Sequence, residues 1–385
     1  MKRNKYVTGV ALCSMILVGS LQVPAVSYAA TNSKVAVTQT EAKLLEGFRK
    51  ELKKHIDNRE ENITITYKTK AKNGREVLDT LYKEYTKIVD KDEYLKYNVA
   101  GTKYSIRGVP GNYTFTLKIT YRESKEQTQY VKTQAKSIIN SIVKAGMDEH
   151  EKVKVIHDYV VKHVSYDTSY KAYTAYEALA KRSAVCQGYT LLTYQLLKEA
   201  GIQSHIVTGQ GNGQAHAWNL VKIENKWYHM DTTFDDPVPD KAGRVTYSYY
   251  NMSDEQLSKD HEWNRTKYPK ASNNYYNELT NKIKKGTPKA VVYKKMLKDT
   301  NLVYLSSQYG AENYNEFKSK LQKQFTTKPT KVEMRYKQSM DGTMQDIKQA
   351  LNELSWPTGA KKVSYQVAPY SAMAGYSLAT ITFTY

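Results

Sequence analysis

The feature that most constrains this chain is the stretch 183–190, Ser-Ala-Val-Cys-Gln-Gly-Tyr-Thr, which carries Cys186 at a predicted helix start. We predict Ser183 as the N-cap, and Gly201 lies where this helix would end. A thiol in the first turn of a helix is close to the positive end of the helix dipole and to backbone N–H groups, and both lower its pKa. The pattern favours a thiolate nucleophile, and the alternative is a small buried apolar side chain.

Residues 1–30 have the pattern of a secretory signal peptide. A basic start with Lys2, Arg3 and Lys5 precedes an apolar run over 7–23, and small residues then mark a cleavage site near Ala29. A transmembrane anchor is the alternative, but the apolar run is short and interrupted by polar residues. We therefore expect a protein that is secreted or associated with the cell envelope, with no stable membrane span after signal removal.

The cysteine count limits the redox chemistry. The sequence contains two cysteines, and Cys13 lies in the predicted signal. The remaining chain of about 355 residues would carry Cys186 as its single thiol, so that packing, not an intramolecular disulfide, must stabilise it. A lone cysteine in an exported protein indicates either pairing between molecules or a reactive thiol. The residues that follow Cys186 favour the reactive thiol.

The charge balance indicates which partners to expect. The formal charge is +20, and loss of the three signal cations leaves +17. Such a balance suits an anionic environment, such as a cell-wall polymer or a membrane surface. Nucleic acid is the other usual partner, but no recognisable binding motif is present and export argues against it. We expect a protein or peptide substrate, with an anionic cell-wall polymer as a second candidate partner and no nucleic acid; the oligomeric state stays open.

Helical and alternating patterns divide the chain into parts. We predict an N-terminal α/β module over 31–126, a central domain over 127–277, a basic linker over 278–310 and a C-terminal α/β module over 311–385. The two modules have the same order of predicted elements, and the spacing from Phe48 to Tyr67 equals that from Phe317 to Tyr336. We interpret them as a duplicated repeat that flanks the central domain, with chance likeness as the alternative.

A predicted hairpin supplies the partners of the thiol. Residues 216–223 alternate as a strand, and the chain returns after a two-residue turn at 224–225. This register places His216 opposite Thr233, with Asp231 two residues away on the same face and within reach of the imidazole. A loop with an odd number of residues would instead place the two on opposite faces. A thiolate needs an imidazole to supply a proton and a carboxylate to fix the imidazole tautomer.

Three stretches resemble the transglutaminase-like superfamily, in particular its secreted bacterial and kyphoscoliosis-peptidase-type branch: Cys-Gln-Gly-Tyr at 186–189, His-Ala-Trp-Asn at 216–219, and Trp-Tyr-His-Met-Asp-Thr-Thr-Phe-Asp-Asp-Pro at 227–237. The resemblance covers about 149–269. It implies Cys186 as nucleophile, His216 as general base and acid, and Asp231 as the orienting carboxylate. The implied fold class is α/β (α+β), with a papain-like core whose cysteine helix packs on the sheet that carries His216 and Asp231.

The donor that would stabilise an oxyanion stays open. Backbone N–H groups around Cys186 are available, and Gln187 or Tyr166 could add a donor, with Trp218 as a further support residue. His205, His229 and His261 are additional candidate support residues. Nothing in the sequence resembles a calcium-binding loop, and we expect no metal and no organic cofactor.

The sequence supports two classes of function. The first is an exported cysteine enzyme that acts on amide or peptide bonds of envelope or extracellular proteins through a thioester. Water as acceptor would make it a peptidase or amidase, and a lysine amine would make it an acyltransferase; the three catalytic residues do not separate these outcomes. The second is a non-catalytic binding or scaffolding protein of the cell envelope on the same fold.

Overall fold

The computed structural model describes residues 39–236, 238–240, 243–370 and 372–385. The predicted signal peptide over 1–30, with Cys13, lies outside the described residues. Among the described helices, none has both the length and the apolar character needed to cross a membrane. The chain forms two compact units. One runs up to Val245 and includes Asp254–Ser272, and the other comprises Thr246–Ser253 and Asn273–Tyr385.

The N-terminal module is a three-stranded antiparallel sheet with helices on one face. Strands β1 and β2 both pair with β3, which gives the order β1-β3-β2. Strand β1 alternates exposed and buried residues, as its sequence predicts, and its buried side packs with Phe48, Leu81 and Phe115. The elements are α1 (Gln39–Asp57), β1 (Asn62–Tyr67), α2 (Gly74–Asp90), α3 (Glu93–Asn98), β2 (Val99–Val109) and β3 (Asn112–Tyr121).

The central part of the first unit combines a helical layer with an antiparallel sheet. Its elements are α4 (Lys125–Ile142), α5 (Glu149–His163), β4 (Ser165–Tyr166), α6 (Ala175–Ala180), β5 (Ser183–Ala184), α7 (Cys186–Glu199), β6 (Ser204–Gly211), β7 (Gln214–Ile223), β8 (Lys226–Met230), α8 (Asp254–Leu257) and β9 (His261–Trp263). The predicted capping boxes are observed: Asp148 pairs with Glu151 at the start of α5, and Thr174 with Glu177 at the start of α6.

The cysteine helix α7 lies at the centre of this part. It packs on β6 and β7 of the sheet β8-β7-β6-β9, and α4, α5 and α6 surround its other sides. Leu191, Leu192, Leu196 and Leu197 have no exposed surface, because the helix is covered nearly all round. The predicted fold class, a mixed α+β core with the cysteine helix on the sheet, is therefore confirmed.

The second unit contains two helices followed by the C-terminal module. Its elements are α9 (Tyr275–Lys284), α10 (Ala290–Asp299), two 3-10 turns (Leu302–Leu305 and Ser307–Tyr309), β10 (Gly310–Ala311), α11 (Tyr314–Phe325), β11 (Lys331–Tyr336), α12 (Met340–Glu353), β12 (Lys362–Pro369) and β13 (Ser377–Thr384). Strand β10 pairs parallel with β11, and the sheet order is β10-β11-β13-β12.

The predicted basic linker over 278–310 is folded, contrary to expectation. Helices α9 and α10 pack on each other and bury Leu279, Tyr293 and Met296, while most of their lysines are exposed. The prediction of a linker was wrong because the lysine-rich outer face of an amphipathic helix gives it the same composition as a linker. The predicted boundary at 277/278 falls inside α9. The boundary at 126/127 falls in the first turn of α4, within one compact unit.

The two modules have the same connectivity. Each runs helix, strand, helix, strand, strand, and in each the first strand pairs antiparallel with the last, which forms a hairpin with the middle one. The equally spaced ring pairs both make contact, with centroids 5.9 Å apart for Phe48 and Tyr67 and 4.5 Å apart for Phe317 and Tyr336. This agreement supports the interpretation of a duplicated repeat. The copies differ in that the first has the extra helix α3 and the second has the extra strand β10.

Candidate active site

Cys186 is the first residue of α7, and its side chain is completely buried. The N-cap is Val185, which makes no side-chain capping hydrogen bond; the prediction of Ser183 as N-cap is wrong. Ser183 instead lies in β5, whose pairing with β4 keeps the chain extended up to Ala184. The start of α7 therefore has no side-chain oxygen that caps its first backbone N–H groups, which leaves the positive end of the helix to act on the thiol.

The first turns of α7 lie against the strand that carries His216. Thr190, one turn after Cys186, donates its hydroxyl to the carbonyl of Ala217 at 2.9 Å. Asn219 on the same strand donates its side-chain amide to the carbonyl of Thr190 at 3.2 Å. These two bonds fix the cysteine end of the helix beside the His216 end of β7.

The hairpin β7–β8 has the predicted register. Ile223 pairs with Lys226 and Asn219 with Met230, across a turn in which Glu224 and Asn225 both have positive φ. Beyond the end of β8, Asp231 reaches back to His216, and its Oδ2 lies 2.6 Å from His216 Nε2. The two side chains that the sequence places on one face are therefore in contact.

Asp231 is held by four hydrogen bonds. The backbone N–H groups of Thr233 and Phe234 donate to its Oδ1 at 2.9 and 3.1 Å, and His261 Nε2 lies 3.2 Å from its Oδ2 in addition to His216. Burial by itself would raise the pKa of Asp231, but His216 and His261 hold that pKa well below its ordinary value. The carboxylate is therefore ionised and fixed in orientation.

The ring of His216 is enclosed by aromatic neighbours. Phe234 lies 4.5 Å away between centroids, and Trp218 stacks at 5.8 Å with an interplanar angle of 22°. A Cβ at Gly211 would lie 3.0 Å from the His216 ring and 3.0 Å from Phe234, so this position accommodates only glycine without displacing them. Since His216 has a relative exposure of 2%, its orientation is set by packing as well as by Asp231.

The predicted support residues have other hydrogen-bond partners. Trp218 donates its indole N–H to His229 Nδ1 at 3.0 Å, and His229 Nε2 lies 2.9 Å from Asp254 Oδ1. Burial lowers the pKa of His229, although Asp254 acts in the opposite direction, so this imidazole is neutral and can accept from Trp218. Trp218 thus supports the site by packing on His216, and its N–H is not available to an oxyanion.

The N-terminal module reaches the cysteine helix through α3. Gln187 donates one N–H of its side-chain amide to the carbonyl of Tyr97 at 2.8 Å, which fixes the orientation of this amide. Glu93 accepts from the backbone N–H of Ile206 at 2.5 Å, and its other oxygen lies 2.6 Å from His205 Nδ1. His205 therefore connects this module to the edge of the sheet and does not belong to the His216 group.

Tyr166, the remaining candidate donor, lies beside the strand that leads into the cysteine. It pairs with Ala184 in the short parallel ladder of β4 and β5, and it is half-buried. Ala184, its partner in β5, lies two residues before Cys186.

The sequence analysis did not predict that the segment 231–236 is attached to two helices by its aspartates. Asp235 Oδ2 lies 3.0 Å from His157 Nε2 on α5, and both side chains have no exposed surface. Tyr189 of α7 donates its hydroxyl to Asp236 at 2.5 Å, and burial raises the pKa of Asp236 to about 6. The segment is thus attached to both α5 and α7. The three aspartates at 231, 235 and 236 are the feature of the sequence that could have indicated these attachments.

A metal ion would have to compete with the hydrogen bonds of the site. His216, Asp231 and His261 each offer a ligand atom, and these atoms lie within 4.8 Å of one another. The same atoms already make the histidine–carboxylate contacts, so a cation at this point would displace them. A cysteine helix packed on the strand that carries a histidine–aspartate contact is the arrangement of a fold of the cysteine-enzyme type.

Comparison with known proteins agrees with this class. Residues 136–232, which include Cys186, His216 and Asp231, match the family described as Transglutaminase-like superfamily. Kyphoscoliosis peptidase of Mus musculus is 23% identical over 138 residues, which covers 31% of this chain and 21% of that protein. The Homo sapiens protein of the same name is 23% identical over 131 residues, with 29% and 20% covered. This chain thus spans about a fifth of the length of these curated relatives.

The match to a solved structure described as a TGase covers 49% of this chain and 58% of that chain, at 15% sequence identity and a TM-score of 0.24. The family match falls on the part of the chain that contains the cysteine helix and the hairpin. Residues 136–232 are therefore similar to the transglutaminase-like superfamily.

Proposed function

We propose that this chain is an exported cysteine enzyme that acts on amide or peptide bonds of envelope or extracellular proteins through a thioester. The observation that carries the proposal is the 2.6 Å contact between His216 Nε2 and Asp231 Oδ2, on the strand against which the first turns of α7 pack. Because Asp231 occupies Nε2, the ring atom that would serve the thiol of Cys186 is Nδ1.

In the proposed reaction, the Cys186 thiolate attacks the carbonyl carbon of the amide, and the carbonyl electron pair moves to oxygen. The tetrahedral adduct collapses, the C–N bond breaks, and His216 gives its proton to the leaving amine. Water or a lysine amine then attacks the thioester and gives a proton to His216. The C–S bond breaks, and the thiolate–imidazolium pair is restored. Asp231 keeps the imidazole in one tautomer and offsets its positive charge.

The oxyanion of this adduct is proposed to bind at the start of α7. The single indole N–H of Trp218 is committed to His229, and one of the two amide N–H groups of Gln187 is committed to Tyr97, so the backbone N–H groups are the better candidates. Since Val185 provides no side-chain cap, the first turn of the helix can direct its N–H groups to a developing negative charge.

The decisive experiment asks whether any product depends on the thiol. The protein and its Cys186→Ala variant are incubated with cell-envelope extract and a labelled primary amine. Incorporation of the amine that requires Cys186 indicates acyl transfer, and new peptide ends that require Cys186 indicate hydrolysis. A third result, products that are equal for both proteins or absent from both, would contradict the enzyme proposal.

A second candidate function is non-catalytic binding of an anionic cell-wall polymer, and two observations favour it. Cys186 has a relative exposure of 0%, so a substrate reaches it only if covering residues move. In addition, β1, β2 and β3 contain no acidic residue, and Lys103, Arg107 and Lys118 lie on the exposed side of this sheet. Lys103 and Lys118 are directly opposite each other, an arrangement that costs free energy unless an anion binds.

Charge-matched variants test this binding function. Replacing Lys103, Arg107 and Lys118 with Gln should weaken binding to a phosphodiester-linked polyol polymer by about tenfold or more, and reduce its salt dependence. The control replaces the exposed Lys284, Lys285 and Lys298 with Gln, which removes the same charge elsewhere. Equal losses in both triple variants would show that only net charge matters and would contradict a docking face. Tighter binding to RNA than to the polymer would assign the face to nucleic acid instead.

A further inference from the structure

Asp231 is shared between two imidazoles. Its Oδ2 lies 2.6 Å from His216 Nε2 and 3.2 Å from His261 Nε2. The other nitrogen of His261, Nδ1, lies 2.6 Å from Asp260 Oδ1. Both nitrogens of His261 therefore face carboxylate oxygens, which accept hydrogen bonds only. The ring can donate to both at once only as an imidazolium.

The surroundings of His261 favour this charged form. Its side chain has no exposed surface, and the titratable groups that face it are Asp260 on its own segment, Asp231 after β8, His216 on β7 and the neutral His229 on β8. Burial acts to lower the pKa of His261, but the hydrogen bonds that its ring donates to Asp231 and Asp260 outweigh it and raise the pKa above its ordinary value. Two carboxylates thus flank the ring of His261, and one of them, Asp231, also contacts His216.

We propose that His261 is a positioning residue of this active site, which acts through Asp231. It holds the shared carboxylate in the orientation that His216 needs, and its positive charge weakens the proton affinity of the His216–Cys186 pair. This inference rests on the proposed function, since it assigns His261 a role in the same reaction. It adds a residue that lies 30 positions beyond Asp231 in the sequence.

The sign of the electrostatic effect follows from the distances. The centroids of the His261 and His216 rings are 5.5 Å apart. A cation at this distance disfavours a second positive charge on His216. Removing it should therefore shift both macroscopic pKa values of the thiol–imidazole pair upward, by about one pH unit. The effect of orientation is separate: loss of the contact lets Asp231 turn and should lower the rate without changing substrate binding.

Two variants and one matched control separate charge from orientation. His261→Gln keeps a donor toward Asp231 and removes the charge, whereas His261→Ala removes both. His157→Gln is the control, because His157 is another buried histidine between two carboxylates, Asp158 and Asp235. Thiolate absorbance is recorded against pH for each full-length protein, and the spectrum of the corresponding Cys186→Ala protein is subtracted. This readout needs neither a substrate nor access to the thiol.

The expected result is an upward shift of the Cys186 titration in His261→Gln and none in His157→Gln. Where a substrate is in hand, His261→Ala should lower kcat by about a hundredfold and leave KM nearly unchanged. An unmoved titration in a folded His261→Gln protein would overturn the inference, as would an equal shift in the control. The outcomes are distinguishable from failure of the proposed function, because the titration is measured even if no amide-directed activity is found.

Discussion

Two buried histidine–carboxylate clusters lie at the two ends of the segment 231–235. The Asp231 cluster consists of Asp231, His216, His261 and Asp260, and the Asp235 cluster consists of Asp235, His157 and Asp158. In each, a histidine without exposed side-chain surface has a neighbouring aspartate on Nδ1 and a carboxylate of the segment on Nε2. The local chemistry of the two histidines is nearly the same.

The two clusters differ in the other hydrogen-bond partners of the segment's carboxylate. Asp231 also binds His216, on the strand against which the cysteine helix packs, whereas Asp235 binds a histidine of α5. A buried histidine–aspartate pair by itself thus indicates only how a loop is attached. A second imidazole on the same carboxylate, beside a thiol at a helix start, is what indicates chemistry.

The largest expected effect separates the clusters by activity. Asp231→Asn should lower kcat by about 10³- to 10⁴-fold, because an amide no longer fixes the tautomer or offsets the charge of His216. Asp235→Asn should leave the activity per folded molecule in the range of the unmodified protein. The measurement is the rate of thiol-dependent product formation, normalised to folded protein by circular dichroism. A comparable loss in both variants would remove the distinction.

The second prediction concerns stability, and here the larger effect should come from the Asp235 cluster. His157→Ala should lower the free energy of unfolding by about 3–5 kcal/mol, because it removes the imidazole that contacts the fully buried carboxylate of Asp235. His216→Ala should cost less, since Asp231 keeps His261 and two backbone donors. Urea denaturation at pH 7 measures both values. If His216→Ala proved the more destabilising of the two, the Asp231 cluster would have to be regarded as structural as well.

The smallest effect should be common to both clusters. The pKa values of His157 and His261 are raised, against the effect of burial, by hydrogen bonds to their aspartates. The resulting stability is present below the unfolded pKa of about 6.5 and is lost as pH rises through the folded value, by up to about 1.4 kcal/mol per pH unit for each histidine. Replacing either with Gln should reduce this slope, as measured by unfolding between about pH 6 and 9. A slope that is unchanged in both variants would contradict the charged state assigned to these rings.

The contact between His216 and Asp231 could be predicted because the hairpin is local. A two-residue turn fixes the register, and the register fixes which side chains share a face. The helix of Cys186 was equally accessible, since its leucine pattern and the glycine that follows it are strong signals. The order of elements in both modules was predictable for the same reason.

Features that depend on long-range pairing were not predictable. The N-cap of α7 is Val185 because β5 pairs with β4, and no periodic pattern announces strands of two residues. His261 was named as one of three candidate support histidines, but its contact with Asp231 was not predicted, because it lies on β9, a three-residue strand whose partner β6 is about 50 positions earlier. The helix α3 is a single short segment within the N-terminal module. Each of these places a group at the site through tertiary contacts that no local pattern encodes.

The bond between Gln187 and the carbonyl of Tyr97 has a practical consequence for dissecting the protein. A fragment that begins at residue 127 would lose the acceptor of Gln187 and the carboxylate of Glu93 that caps the N–H of Ile206. It would also lose Glu123, which accepts from the backbone of Tyr176. Trimming to the family-matched region would therefore leave unsatisfied donors next to the cysteine helix, and expression of the domain should start at or before residue 39.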